Sequence, residues 1–317
     1  FEPNENPGTG TLSVRLPVRT PFAYEGVFGH LAAGAVPGVE EVRDDTFRRT
    51  LRLPNGTGIV GLSPRVDHVQ CTLILDDFRD LATAIARCRR LLDLDADPEA
   101  VIDVLNADRH LAPIVAKAPG QRIPRTVDEN ELALRVVIGQ QVSMKAAATH
   151  TRRLALAYGT PINDPAGALT HVFPSVTQLA EIDPSHLAFP ESRRRTLVAL
   201  IDALAAGTLE LDAGSDWLQA RTQLAELPGI GPWTAEVIAM RGLGDPDAFP
   251  ASDLGVRAAA KQAGLPDNSR QLIEHSAHWR PWRAYATQHL WTSLDHAVNQ
   301  WPPLTTNPSQ SPQQEQA

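Results

Sequence analysis

One stretch of the chain, Leu227-Pro-Gly-Ile-Gly-Pro-Trp233-Thr-Ala-Glu-Val-Ile-Ala-Met240, constrains the fold more than any other. It follows an amphipathic run over residues 215–226, and its glycines and prolines predict a tight turn between two helices. Gly229 and Gly231 permit positive φ and an uncovered backbone, and Pro232 suits the first position of the second helix, where no amide loses a partner. Amides at such a helix start can hold an anion without a lysine. A turn that merely joins two packed helices is the alternative.

The chain on either side of this turn predicts an α+β protein. The first hundred residues favour an antiparallel sheet with helices on one side, because alternating apolar runs flank the hairpin signal Asn55-Gly56. From about residue 97 only helical periods are found. We predict strands at 12–18, 46–53, 57–62 and 68–75 and helices at 24–36 and 78–94. We predict a flexible lead-in (1–10), an N-terminal α+β domain (11–111), a larger all-α region with a cleft between two helical subdomains (112–301) and a disordered tail (302–317).

Charge and cysteine content exclude several classes of protein. The net charge of −8 argues against a nucleic-acid partner, but residues 111–158 carry seven basic and three acidic side chains. With only Cys71 and Cys88, the chain cannot build a disulfide scaffold, a four-cysteine zinc site or a cysteine-held iron-sulfur cluster. Cys88 is expected in the core. No long apolar run and no secretory pattern occurs, which favours a cytoplasmic protein without membrane contact.

A second motif, Phe249-Pro-Ala-Ser-Asp253-Leu-Gly-Val-Arg257, begins a helix twenty residues after Trp233. Asp253 occupies the expected N-cap position, and a simple capping role is the ordinary interpretation. An ionised carboxylate at this place could also stabilise a positive charge that develops in a reaction.

Together these motifs resemble the helix-hairpin-helix DNA glycosylases, whose signature is an LPGIG hairpin followed at this distance by an Asp loop. Within that superfamily the chain is most similar to the 3-methyladenine-DNA glycosylase II (AlkA) group, from Leu12 to Trp301. The similarity includes LRVVIGQQVSMKAA at 134–147 and WRPWRAYATQHLW at 279–291. The resemblance implies a monomeric enzyme of base excision repair. It would flip alkylated purines such as 3-methyladenine out of double-stranded DNA and hydrolyse the N-glycosidic bond, leaving an abasic site.

The resemblance also assigns roles around the expelled base. Asp253 is the catalytic carboxylate. Trp233 and Trp291 match the family's pocket tryptophans, whose faces suit a cationic base, and other tryptophans (Trp217, Trp279 and Trp282) are expected in the core. The remaining pocket positions are Phe28, His30 and Val237, where His30 and Val237 replace aromatic side chains of the family.

For DNA contact the resemblance points to the hairpin and to a nearby glutamine pair. Phosphate would be held by the amides of Gly229, Gly231 and Thr234. Gln140 and Gln141 either contact the unpaired base or cap the helix near Ser143. A monovalent cation, sodium or potassium, could lie at the carbonyls of Ala225, Leu227 and Ile230, and no other cofactor is required. The basic run Arg193 to Arg195 is expected on a solvated face.

One residue narrows the expected activity further. Trp233 stands where strand-cutting relatives carry a Schiff-base lysine, so no lyase step is expected. The alternatives are a non-catalytic DNA or lesion binding protein and a monofunctional glycosylase for another base, such as uracil or hypoxanthine. Relatives also occur fused N-terminally to an Ada-type regulator, an arrangement that would suit a chain beginning at Phe1.

Overall fold

A five-stranded antiparallel sheet forms the first layer of the fold. The computed structural model describes residues 10–212, 214–294, 296, 299 and 301, so the predicted tail and nearly all of the lead-in lie outside the described residues. The strand order is β1-β5-β4-β3-β2. Asn55-Gly56 joins β3 to β4 in the predicted hairpin, with Leu53 opposite Gly56. The strands are β1 (Thr11–Pro17), β2 (Glu40–Arg43), β3 (Thr46–Leu53), β4 (Gly56–Pro64) and β5 (His68–Leu75).

Two helices accompany the sheet. Helix α1 covers Tyr24–Ala33 and ends three residues earlier than predicted, because the chain turns at Gly34 ahead of Pro37. A short 3₁₀ turn at Phe78–Asp80 leads into α2 at Leu81–Leu91. Alternate residues of the strands and the apolar stripe of α2 bury a common core, which includes the free thiol of Cys88.

The rest of the chain is mainly helical. One correction concerns residues 160–161 and 171–172, which form a two-residue antiparallel pair, β6 (Thr160–Pro161) and β7 (His171–Val172), too short to show alternation in the sequence. The helices are α3 (Pro98–Leu105), α4 (Ala112–Lys117), α5 (Glu129–Ile138), α6 (Met144–Tyr158), α7 (Val176–Ala180), α8 (Glu191–Ala205), α9 (Trp217–Glu226), α10 (Pro232–Ile238), α11 (Leu254–Gln262), α12 (Ser269–His275) and α13 (Arg283–Thr292).

The helical core extends across the boundary that we predicted at residue 111. Val101 and Leu105 of α3 and the following Leu111 are buried in the same cluster as α5, α10 and α13. Tyr285 of α13 donates a 2.8 Å hydrogen bond from its hydroxyl to Asp93 Oδ2, just after α2. Helix α13 thereby joins the two cores. In the described part of the chain, no helix has the length and apolar character needed to cross a membrane.

Candidate active site

Asp253 is held in place by three N–H donors from three parts of the helical region. As the N-cap of α11, its Oδ1 accepts a 2.8 Å hydrogen bond from the Val256 amide. The indole Nε1 of Trp233 donates to Oδ2 at 2.8 Å, and the indole Nε1 of Trp291 donates to Oδ1 at 2.9 Å. The helix cap and the candidate catalytic group are therefore one carboxylate. These donors fix its orientation.

The side chains of Asp253, Trp233 and Trp291 border a cavity of about 520 Å³, which is large enough for a nucleobase. His30 and Val237 line the same cavity. The structure does not bring Phe28 to it. Its ring is fully buried in the sheet core, edge-on to Trp301 at a centroid distance of 4.9 Å. Two helical residues apart is about 200° around the axis, so Phe28 and His30 of α1 point in opposite directions.

The other tryptophans divide between core and surface. Trp279 is fully buried, which confirms the core prediction, and Trp282 is partly buried against the same cluster. Trp217 was predicted in the core, and this is wrong: the residue is 40% exposed. It is the first residue of α9, so no preceding helical turn covers its ring.

A buried ion-pair cluster also contributes to the cavity lining, and the sequence analysis missed it. Arg49 of β3 pairs with Glu40 at 3.0 Å and with Glu131 of α5 at 2.8 Å. Arg135 pairs with the same two carboxylates, at 2.8 and 2.9 Å. Two positive and two negative charges thus balance beside the cavity. One signal in the sequence could have indicated the cluster. Arg49 and Glu131 lie inside otherwise buried elements, and charged residues are rarely buried there unless they are paired.

His30 contributes a neutral ring to the cavity wall. Burial lowers the pKa of His30 well below its usual range, and the nearby guanidinium groups of Arg241 and Arg135 lower it further. A neutral imidazole does not repel a cationic base.

The glycine hairpin connects α9 to α10 as predicted, although its two glycines differ. Gly229 has φ +81°, and a Cβ there would lie 2.0 Å from the Oγ1 atom of Thr196 on α8. Gly231 has φ −89°, so of the two hairpin glycines Gly229 alone uses the positive φ that glycine permits. A Cβ on Gly231 would meet nothing within 4 Å. Pro232 takes the first position of α10.

The hairpin presents amides that have no protein partner among the described residues. Within the described ranges, no acceptor is found for the backbone N–H groups of Gly229, Gly231 and Thr234. Gln140 braces this turn from the α5–α6 loop: its Nε2 donates to the Gly229 carbonyl at 3.1 Å and to Thr234 Oγ1 at 3.0 Å. Arg193 donates in turn to the Gln140 carbonyl at 2.6 Å. The turn is thus fixed from two sides.

Gln141 differs from Gln140 in both backbone and exposure. It is exposed and has φ +55°, a left-handed conformation that is uncommon outside glycine. Neither glutamine caps α6, because Ser143 does so through a 3.2 Å hydrogen bond from the Ala146 amide.

The predicted cation ligands lie where α9 ends. The Leu227 carbonyl accepts a hydrogen bond from the Ile230 amide. For the carbonyls of Ala225 and Ile230, no hydrogen-bond donor is found in the part of the chain that the structure describes. The Ala225 carbonyl lies in the last turn of α9 and that of Leu227 at its C-cap, where partial negative charge suits a weakly bound monovalent cation, whereas Ile230 lies beyond the helix, just before α10.

Two family models match the chain over adjoining ranges. Residues 13–128 match the AlkA N-terminal domain, and residues 134–283 match the HhH-GPD superfamily of base excision DNA repair proteins. Among solved structures, a 3-methyladenine DNA-glycosylase from Archaeoglobus fulgidus has a TM-score of 0.73 at 18% identity, over 88% of this chain and 97% of that one. At this identity the likeness shows the fold alone.

Curated relatives are similar over most of the chain. A protein of Mycobacterium tuberculosis named probable bifunctional transcriptional activator/DNA repair enzyme AlkA is 70% identical over 93% of this chain, which spans 59% of that relative's length. DNA-3-methyladenine glycosylase 2 of Escherichia coli is 33% identical over 86% of this chain and 94% of that protein. The hairpin, the Asp loop and similarity across both domain models show that the chain belongs to the AlkA family of helix-hairpin-helix DNA glycosylases.

Proposed function

We propose that this protein is a monofunctional DNA glycosylase that removes alkylated purines such as 3-methyladenine from double-stranded DNA. The observation that carries the proposal is the carboxylate of Asp253, hydrogen-bonded by two indoles at the edge of a cavity of base size. The named glycosylase relatives support the same activity.

The chemistry assigned to Asp253 is electrostatic. As the bond between sugar and base breaks, positive charge develops on the sugar, and a fixed carboxylate beside it lowers the energy of that state. An alkylated base already carries positive charge and leaves without a strong general acid, so one carboxylate is sufficient. Asp253 could also orient or deprotonate the attacking water. Three N–H donors hold it in place.

Recognition of the base is assigned to the cavity walls. The faces of Trp233 and Trp291 attract a cationic ring. The neutral His30 adds no positive charge to this wall, and the charges of Arg49 and Arg135 are matched by those of Glu40 and Glu131. Val237 completes an apolar part of the wall.

DNA contact is assigned to the hairpin. The unpartnered amides of Gly229, Gly231 and Thr234 would hold a backbone phosphate, and the carbonyls of Ala225, Leu227 and Ile230 would hold a sodium or potassium ion beside it. The exposed Gln141 is the residue best placed to enter the gap left by the expelled base, since the amide of Gln140 is engaged within the protein. No lyase step is proposed, because Trp233 cannot form an imine.

The decisive experiment is an inventory of the bases released from DNA. The chain is incubated with methylated duplex DNA and with duplexes containing uracil or hypoxanthine, and free bases are separated by chromatography. Release of 3-methyladenine is the expected result. Release of uracil or hypoxanthine alone would indicate another specificity, and lesion binding without any release would indicate a non-catalytic binding protein.

We also propose that the chain acts as a monomer on nucleoid DNA in the cytoplasm. Cys71 and Cys88 are both free and buried, in keeping with a reducing compartment. An N-terminal Ada-type regulatory region in the full-length protein is supported by the bifunctional name of the M. tuberculosis relatives, of which the chain covers only part. Size-exclusion chromatography with light scattering tests the monomer, and sequencing of the complete gene tests the fusion.

A further inference from the structure

A histidine and carboxylate cluster lies outside the cavity described above. His275 ends α12 and His278 lies in the 3₁₀ turn Ser276–Trp279 that follows. Their Nε2 atoms lie 2.8 and 3.1 Å from the same oxygen, Oδ2 of Asp108, which precedes α4. The two imidazole rings are 4.7 Å apart. Asp108 thus meets two histidines that lie 167 and 170 positions further along the chain.

The carboxylate in this cluster is buried and firmly oriented. Asp108 is 4% exposed, its Oδ1 accepts from the His110 amide at 2.7 Å, and its Oδ2 accepts from Trp279 Nε1 at 2.7 Å. The carboxylate is therefore oriented by outer donors that are already in place, an arrangement that is typical of a metal ligand.

The donor set matches one class of ion. One ligand atom from each of Asp108, His275 and His278 lies within 4.8 Å of the other two. Metal-ligand distances of about 2.0–2.2 Å require neighbouring ligands to lie roughly 3–3.5 Å apart, so small side-chain movements suffice. Two imidazoles and a carboxylate suit zinc and its neighbours, whereas magnesium and calcium prefer oxygen alone.

We propose that Asp108, His275 and His278 bind one Zn²⁺ ion, with solvent as the fourth ligand. On binding, each neutral ring transfers its single proton from Nε2 to Nδ1 through solvent, and Nε2 then coordinates the ion in place of its hydrogen bond to the carboxylate, with no net release of a proton. His278 is half-exposed, with 50% of its side chain accessible, which leaves a path for the ion and for the solvent ligand.

The proposed role of the ion is structural. It would tie the segment before α4 to the end of α12. The buried Trp279, which donates to the same carboxylate, also packs edge-on against Phe249 at 5.7 Å. Phe249 begins the loop that carries Asp253, so the site would support that loop from behind. The ion has no proposed part in breaking the glycosidic bond.

The test is titration of the complete, untagged chain after treatment with a chelator. We expect Zn²⁺ to bind at one equivalent per chain by calorimetry and to raise the Tm. Co²⁺ should give the visible absorption bands of a tetrahedral site with nitrogen and oxygen ligands. In the double variant His275→Gln/His278→Gln, we expect at least about a 100-fold loss of affinity and no Tm shift.

The matched control is His186→Gln, which removes an exposed histidine from another 3₁₀ turn, Pro184–His186. It should bind Zn²⁺ as the wild type does. Since both substituted histidines are partly exposed, the double variant should fold, and circular dichroism checks this. Absence of saturable binding in the wild type would overturn the proposal, as would equal binding by the double variant. If the double variant does not fold, Asp108→Asn replaces it, with the same expected loss.

Discussion

Substitution by alanine should affect different properties at the two hairpin glycines, stability at Gly229 and DNA affinity at Gly231. Gly229→Ala places a methyl group 2.0 Å from Thr196 Oγ1 and forces φ +81° on an alanine, whereas Gly231→Ala meets open space at φ −89°. The first change should therefore destabilise the protein. The second should leave stability unchanged and obstruct the approach of a DNA phosphate.

The expected size follows from three contributions. A left-handed conformation costs a non-glycine residue about 1–2 kcal/mol. Displacing Thr196 breaks its 3.1 Å hydrogen bond to the Ser192 carbonyl, at about 1 kcal/mol. The stiffer unfolded chain returns roughly 0.4–1 kcal/mol. Gly229→Ala should thus lower the free energy of unfolding by about 2 kcal/mol, and Gly231→Ala by no more than about 0.5 kcal/mol.

Urea unfolding measures the free energy of unfolding, and fluorescence anisotropy with a duplex that carries an abasic-site analogue measures DNA affinity. Gly231→Ala should weaken binding roughly tenfold, equivalent to about 1.4 kcal/mol. Adding Thr196→Ala to Gly229→Ala should restore at least about 1 kcal/mol relative to additivity. Equal destabilisation by the two alanines, or strict additivity with Thr196→Ala, would refute the reasoning.

Three further predictions concern the cavity and α13. Glu131→Gln leaves two buried arginines one carboxylate short and should lower the free energy of urea unfolding by about 3–5 kcal/mol, against little change for the exposed control Glu274→Gln. Trp291→Phe keeps an aromatic face but removes the 2.9 Å hydrogen bond to Asp253, which should cost about 1.5–3 kcal/mol of stability and slow base release; an unchanged rate would contradict the assignment. Burial lowers the pKa of His289 to about 4, so the unfolded state binds more protons between that value and its own pKa of about 6.5. The free energy of unfolding should therefore decrease as the pH falls through this window. The decrease should be smaller by up to about 3 kcal/mol in His289→Gln than in the wild type, and parallel profiles of stability against pH for the two proteins would disprove this.

Much of the fold could be predicted from local patterns. Strands over Thr46–Leu53 and His68–Leu75 have the predicted bounds, because alternating apolar residues and the Asn55-Gly56 turn specify them strongly. Glu40–Arg43 was missed, since a four-residue edge strand with one apolar residue carries no such pattern. The pair at 160–161 and 171–172 depends on tertiary contact, including the 2.9 Å hydrogen bond from Thr50 Oγ1 to the His171 carbonyl.

The site was predictable only in part. The spacing of Trp233 and Asp253 identified the motif, but no local pattern shows that the indole of Trp291, 38 residues further on, donates to the same carboxylate. The position of Phe28 could have been corrected from helical geometry, because it lies two residues from His30 and so faces away from it. Charge pairing over long sequence separation, as between Arg49 and Glu131, leaves no periodic signal.

The central claim is that the Asp253 carboxylate stabilises positive charge on the sugar. The most direct measurement is the single-turnover rate of 3-methyladenine release by Asp253→Asn, with affinity for lesion-containing DNA measured in parallel. We predict a rate lower by about 10²- to 10⁴-fold with DNA binding retained. A folded Asp253→Asn variant that releases the base at a rate near that of the wild type would contradict the account.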